Sequence, residues 1–316
     1  MAAVTNTFIS SSAIGNREDL TNAIYNISPF DTPFISMIGR VDVEGVTHEW
    51  QTDSLATAAA NAYPEGDDIT SFSAVSATVR ESNVCQISRK DVIVSSTQDV
   101  VNKAGRTSEL AYQVAKKSKE LKRDMEFIMT QNQTPVVSGT RALKSLEDWI
   151  RTNTSRGSGT TTAGADPSTA TTATPTDADT LRTFTETILK DVIQQVYSSG
   201  GEPKVLMVGP VNKQRVSDFS GRASARENVS IGTIQGAASL YASDFGDVTI
   251  MPNRFSRERS AIAIDPEFAA IGYLREFDLV ELARTGDASK RMLTVEYTLE
   301  MRNEAAHGIA ADLVTS

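Results

Sequence analysis

Apolar side chains recur along the chain with two different periods, and the switches between them outline the elements. The strictest alternation lies near the C-terminus, where Leu293, Val295, Tyr297, Leu299 and Met301 interleave with Thr294, Glu296, Thr298, Glu300 and Arg302. A two-residue period puts the first set on one face of a strand. With Phe277–Ala283 as its partner and RTGDASKR as a short charged connection, it predicts a long hairpin. A second hairpin is predicted from residues 41–57 and 69–80, where Val75, Ala77 and Val79 alternate with Ser76, Thr78 and Arg80. Arms of about 12 residues reach about 40 Å. The helical period is clearest at Leu110, Val114, Leu121, Met125 and Ile128, which predicts one helix over 107–131, roughly 37 Å long. Lys116, Lys117, Lys119, Glu120, Lys122 and Arg123 occupy its other faces.

Shorter signals fill in the rest. Leu20, Ile24 and Ile27 share a helical face that Pro29 ends. In FDTPFISMIG, Asp31 or Thr32 suits an N-cap, Pro33 the first turn and Gly39 the exit. VCQISRKDVIVS reads as a strand. Residues 151–180 are rich in Ser, Thr, Gly, Ala and Pro and read as a surface loop or insertion, after which Asp179 caps a helix bearing Leu181, Phe184, Ile188, Val192 and Val196. KVLMV, VTIMP and SAIAI are short strands, with GPVNKQRVSDF a turn and helix, so 140–275 reads as a compact α+β unit. The small apolar EAAHGIAADL tucks back into it.

The stretch WQTDSLATAAANAYPEGDD sits between the two arms of the first hairpin and holds few large apolar side chains. Pro64 and Gly66 mark a turn at its tip. A two-stranded hairpin is marginal in water and cannot offset its own ordering entropy, so this arm needs a surface to lie on.

Composition narrows the chemistry. The net charge of −9 argues against a general nucleic-acid binder, whose affinity comes from cations on phosphates, and is compatible with a protein that encloses nucleic acid without gripping it. Cys85 is the only cysteine, so no intramolecular disulfide forms, and with His48 and His307 alone no zinc site of the usual Cys/His type can be built. There is no phosphate loop and no G-x-S-x-G elbow. The N-terminal stretch has no signal-peptide pattern, and no apolar run reaches membrane-spanning length. No catalytic residue, metal or cofactor is expected, and no membrane partner. The basic run KKSKELKR reads as a solvated helix face or as a contact for an enclosed genome or an acidic partner. The acidic tip Glu65, Asp67 and Asp68 reads as a solvated turn or as a dock for a neighbour's basic patch, with Arg254, Arg257 and Arg259 as the candidate.

The order of these elements, with SPFDTPFISMIGR, KAGRTSELAYQVAKKSKELKRDME and FGDVTIMPNR followed by AIAIDPEFAAIGYL, resembles the tailed-bacteriophage major capsid proteins, whose fold is shared with herpesvirus shells and encapsulins. The resemblance implies an α+β capsid fold with an N-terminal arm at 1–40, an extended loop at 41–82 and a peripheral domain at 83–134. An axial domain at 135–275 follows, then a peripheral strand pair at 276–303 and a C-terminal return at 304–316. It implies pentamers and hexamers closing an icosahedral shell around double-stranded DNA, without sequence-specific binding. The virion is the expected location, after assembly in the host cytoplasm. Extended-loop contacts are expected from Trp50, Tyr63, Glu65, Asp67, Asp68 and Phe72, and contacts near three-fold positions from Arg284, Asp287, Lys290 and Arg291. A portal, decoration proteins and a separate scaffolding protein are implied partners. The absence of lysine between Gly45 and Arg80 argues against the lysine cross-link that some members form there. An encapsulin-like compartment and a receptor-binding fibre or adhesion protein are the alternatives.

Overall fold

A computed structural model describes residues 31–69, 72, 74–101, 105–159, 162–164, 174–219 and 239–315. The helix expected at Leu20–Ile27 lies outside them, as do residues 160–161 and 165–173 of the Thr-rich tract. The described residues form an α+β fold organised on two main sheets.

The first sheet has the order β1 (Gly39–Asp42), β10 (Ala269–Leu282), β11 (Ala288–Met301), β4 (Gln86–Ser95). β10 and β11 are antiparallel and each has 14 residues, about 46 Å of strand. The hairpin is longer than the alternation predicts, and β10 crosses the expected boundary at 275. Two register shifts, between Tyr273 and Arg275 and between Arg275 and Asp278, break the two-residue period along β10. Ala269, Ala270, Ile271 and Gly272 are all buried, so no alternation marks that end either.

The spine helix, α3 (Glu109–Thr130), crosses one face of this sheet. Ser108 caps it, its hydroxyl accepting the Ala111 N–H at 3.3 Å. Leu121, Met125 and Met129 pack with Leu293, Val295 and Tyr297, and Lys90 reaches Asp124 at 2.5 Å. Leu110, Val114 and Ile128 are only half-buried, so Leu121 and Met125 are the members of the predicted stripe that are fully covered.

The second sheet has six strands in the order β5 (Thr154–Ser155), β12 (Gly308–Ala310), β9 (Ala261–Ile264), β6 (Val205–Val208), β8 (Gly246–Pro252), β7 (Leu240–Ser243). β6 and β9 are buried at every position, because both faces of the sheet are covered. Leu206, Val208, Ala261 and Ala263 meet α5 (Glu186–Ser198) and α6 (Pro210–Ser217). Met207, Ile262 and Ile264 face the core shared with the spine and the first sheet. The C-terminal segment enters this sheet as β12. A Cβ on Gly308 would stand 2.7 Å from methyls of both Val192 and Val196, so only glycine lets α5 sit this close. His307 is fully buried, accepts the Asp265 N–H on Nδ1 at 3.3 Å, and is held neutral as burial pulls its pKa down to about 4.

Two local expectations change. α5 starts at Glu186, with Thr185 rather than Asp179 at its N-cap, and buries Leu189, Val192, Ile193 and Val196. Residues before it run extended, with Arg182 bridged to Leu313. In the DTPF segment, α1 (Pro33–Met37) has Thr32 at its N-cap without a side-chain cap bond, and Gly39 opens β1. The free amides of α1 are taken by the spine instead. Glu126 Oε1 accepts the Phe34 N–H at 2.8 Å and Oε2 the Ile35 N–H at 2.9 Å. Asn253 Nδ2, just after β8, donates to Glu126 Oε1 at 2.6 Å. Burial pushes the Glu126 carboxyl above its usual range, and these donors, led by the Ile35 amide, pull it back. A fully buried carboxylate with three donors thus joins the arm, the spine and the central unit, and Gln131 Nε2 adds a bond to the Phe255 carbonyl at 2.9 Å.

Glu126→Ala is expected to lower the stability of the unassembled subunit by about 3 kcal/mol or more, since it strands buried N–H groups. The urea midpoint checks this. A change below about 1 kcal/mol contradicts the role given to this carboxylate.

Candidate assembly surfaces

The projection at 41–82 is anchored by a short ladder. β2 (Thr47–Thr52) pairs antiparallel with β3 (Val79–Val84), six residues on each side, about 20 Å. The predicted arms are twice that length. Beyond Thr52 and Val79 the described residues form no regular strand. The alternation at Val75, Ala77 and Val79 has no covered face to match: Val75 is 97% exposed.

The base of the ladder is fixed to the body. Asn83, buried, donates from Nδ2 to the carbonyls of Leu299 at 2.6 Å and Lys144 at 3.1 Å, and its Oδ1 accepts the Lys144 N–H at 2.8 Å. His48 Nε2 meets Glu300 Oε2 at 2.7 Å. Trp50 packs with its ring centroid 5.3 Å from that of the buried Trp149 of α4 (Leu146–Trp149), tilted by 43°, and is half-buried against the core. Most of the Trp50 ring is thus covered within its own subunit.

Farther out the side chains are bare. Leu55 is 99% exposed and Phe72 88%, and Tyr63 and Ile69 are also exposed. The tip is a turn in which the Asp67 N–H reaches the Pro64 carbonyl at 3.3 Å and Gly66 adopts φ 80°. Glu65, Asp67 and Asp68 all face solvent there.

The far end of the β10–β11 hairpin forms the second surface. Arg284 and Asp287 lie in its exposed turn, where Arg284 Nη2 reaches Ser289 Oγ at 3.0 Å. Lys290 and Arg291 sit lower than expected, within β11 opposite Leu282 and Glu281. Both are half-buried, and Arg291 pairs with Glu281 at 3.0 Å.

Two of the three arginines in the candidate basic patch are paired within the subunit. Arg257 binds Glu147 at 2.7 Å and Asp177 at 2.5 Å, and Arg259 binds Asp177 at 2.6 Å. Glu147 is fully buried, and burial pushes its carboxyl up against the pull of Arg257. These pairs tie the end of the Thr-rich tract to the central unit. Asp312, at φ 61°, closes the same tract by accepting the N–H groups of Gly157 and Ala178, both at 2.8 Å. Arg254 alone of the three stays exposed. Sequence reasoning missed Glu126, Asn253, Asn83 and Asp312. For Glu126 a signal existed, a carboxylate set beside the buried Met125 and Met129 stripe.

Among the described residues there is no group of His, Cys, Asp and Glu side chains that could hold a metal ion, and no helix long and apolar enough to cross a membrane. The profile of the SU10 major capsid protein family matches residues 3–314. The chain belongs to this family.

The major capsid protein of Escherichia phage Phieco32 is 29% identical to this one over 342 aligned residues, covering 96% of each chain. Among solved structures, the capsid of Cyanophage A-1(L) superposes with a TM-score of 0.71 at 12% identity, over 98% of this chain and 99% of that one. A Phage G structure of major capsid and decoration proteins gives 0.56 at 11% identity, over 99% and 100%. Likeness at this identity establishes the fold, a tailed-phage capsid fold of α+β class. The protein is therefore a phage major capsid protein, a structural component of the virion that self-associates into a shell. Family membership favours neither a nanocompartment nor a receptor-binding fibre.

Arg257→Ala is expected to destabilise the isolated capsid subunit by about 3 kcal/mol, because it takes the Arg257 guanidinium from the buried Glu147. Arg254→Ala is expected to change stability by less than about 0.5 kcal/mol. Denaturant unfolding of the two variants side by side distinguishes a structural ion cluster from a docking patch.

Proposed function

We propose that this capsid protein assembles into pentamers and hexamers that close an icosahedral shell around the double-stranded DNA genome of a tailed phage. The bare stretch between β2 and β3 carries this reading. It leaves Leu55, Phe72 and Val75 in solvent, yet its root is fixed by Asn83, His48 and Trp50. A fixed root with an uncovered shaft suits an arm laid across an adjacent subunit. In this reading Tyr63, Phe72, Glu65, Asp67 and Asp68 make the contact, and the turn at Arg284 and Asp287 meets neighbouring rings near three-fold positions. Lys290 and Arg291 brace that turn.

The first sheet and the spine then act as the peripheral domain, and the six-stranded sheet as the axial domain facing the ring axis. Head-to-tail contacts of this kind close into rings. Large obligate interfaces, commonly above about 2,000 Å², supply the cohesion that small side chains lack singly. A portal and decoration proteins complete the assembly, which takes place in the host cytoplasm. No catalytic step is assigned to the chain.

Size-exclusion chromatography with negative-stain microscopy tests this reading. The purified protein is expected to form closed shells of tens of nanometres. The variant L55S/F72S/V75S is expected to fold but to stay as free subunits, since each buried apolar side chain contributes about 1.5–3 kcal/mol. Wild-type protein that remains a monomer, or a triple variant that closes shells as readily, overturns it.

A further inference from the structure

The chain is acidic overall, yet one stretch of the spine is strongly basic. Between Ala115 and Arg123 stand five cations, Lys116, Lys117, Lys119, Lys122 and Arg123, against the single carboxylate Glu120. Lys117 already neutralises that carboxylate at 2.8 Å. Lys116, Lys119 and Lys122 are exposed and follow one another every third residue, so they advance about 4.5 Å per step along the helix. Lys122 holds its ammonium 5.6 Å from the Phe277 ring centroid, which directs the row along the side of the spine that borders β10. The face of α3 that packs on β4 and β11 lies elsewhere on the helix.

We propose that the row Lys116, Lys119 and Lys122 is a sequence-independent contact for the phosphates of duplex DNA. The proposal rests on the reading that the shell encloses DNA and adds the surface that meets it. Three exposed lysines at one spacing suit an anion that repeats along its length better than a single carboxylate. Two buried carboxylates are held by arginine, Glu147 by Arg257 and Glu296 by Arg141 and Arg275. The exposed row uses compact point charges on long stems, which suit a repeating anion that slides past. It also stands against a net charge of −9, so it is no by-product of composition. Three lysines are few, which makes the contact weak and salt-sensitive, as suits a genome that must leave.

The test uses full-length unassembled protein, a 30-base-pair fluorescent duplex and a second duplex of scrambled sequence, with binding followed by anisotropy between low and physiological salt. Both duplexes are expected to bind the wild type equally. K116Q/K119Q/K122Q is expected to bind at least tenfold more weakly at low salt, with its slope of log K against log salt shallower by about 3. Its urea midpoint and its shells under the microscope are expected to match the wild type. Unchanged affinity and slope in the variant overturns the proposal, as does a discrimination between the two duplexes. A variant that folds but cannot close shells also overturns it, by assigning the row to an acidic surface of another copy. Failure of the wild type itself to form shells bears on the assembly reading and not on the row.

Discussion

A folded subunit that leaves a rooted arm of apolar side chains in water is under a constraint that only another molecule can relieve. The stretch between Thr52 and Val79 has too few large side chains to make a core, and among the described residues no second layer covers those it has. The ordering entropy of such a segment must be offset by burial elsewhere. In the proposed shell, copies of the same chain supply that burial. In that reading the stretch beyond the ladder, the turn of the long hairpin and the lysine row are the surfaces the assembly uses.

An arm can transmit load only if its root does not give. The body supplies this with polar groups placed inside the core. Asn83 spends three hydrogen bonds on holding β3 to the end of β11 and to Lys144, just before α4. Glu126 performs the larger task, because its carboxylate joins segments that are 92 and 127 residues away in the chain. Buried polar groups of this kind are costly when half-satisfied and specifying when fully bonded. Here they fix the angle between the N-terminal segment, the spine and the six-stranded sheet, while the packing of Met125, Met129, Trp149 and Tyr297 supplies the bulk of the adhesion.

Much of this was legible in the sequence wherever the two faces of an element carry side chains of different polarity. β11 was readable from Leu293–Met301 although Val295–Met301 are all buried, because its second face carries Glu296, Thr298 and Glu300, with Glu296 held by Arg141 and Arg275 and Glu300 by His48 and Arg302. The spine was readable for the same reason. Legibility failed where both faces are alike. The start of β10 is buried on both sides and bulged, so its period vanished. The strand predicted at Val75–Val79 alternates in the sequence but is exposed throughout, and only Val79 joins the ladder. The ion cluster around Glu147 was invisible for another reason: Arg257 and Arg259 look like surface cations until the fold brings Asp177 across from the Thr-rich tract. Likewise the three segments that carry the family resemblance look unrelated in sequence. In space they meet at one carboxylate, since the last residue of KELKRDME caps the helix of DTPF and receives the asparagine of IMPNR.

Amide hydrogen exchange, compared between the free subunit and the closed particle, tests intersubunit burial most directly. Amides between Leu55 and Ala77 are expected to exchange as fast as an unstructured chain in the free subunit and to slow by orders of magnitude in the particle, while those of β11 are protected in both. Slow exchange of that stretch in the free subunit, or equally fast exchange in the particle, would contradict the account.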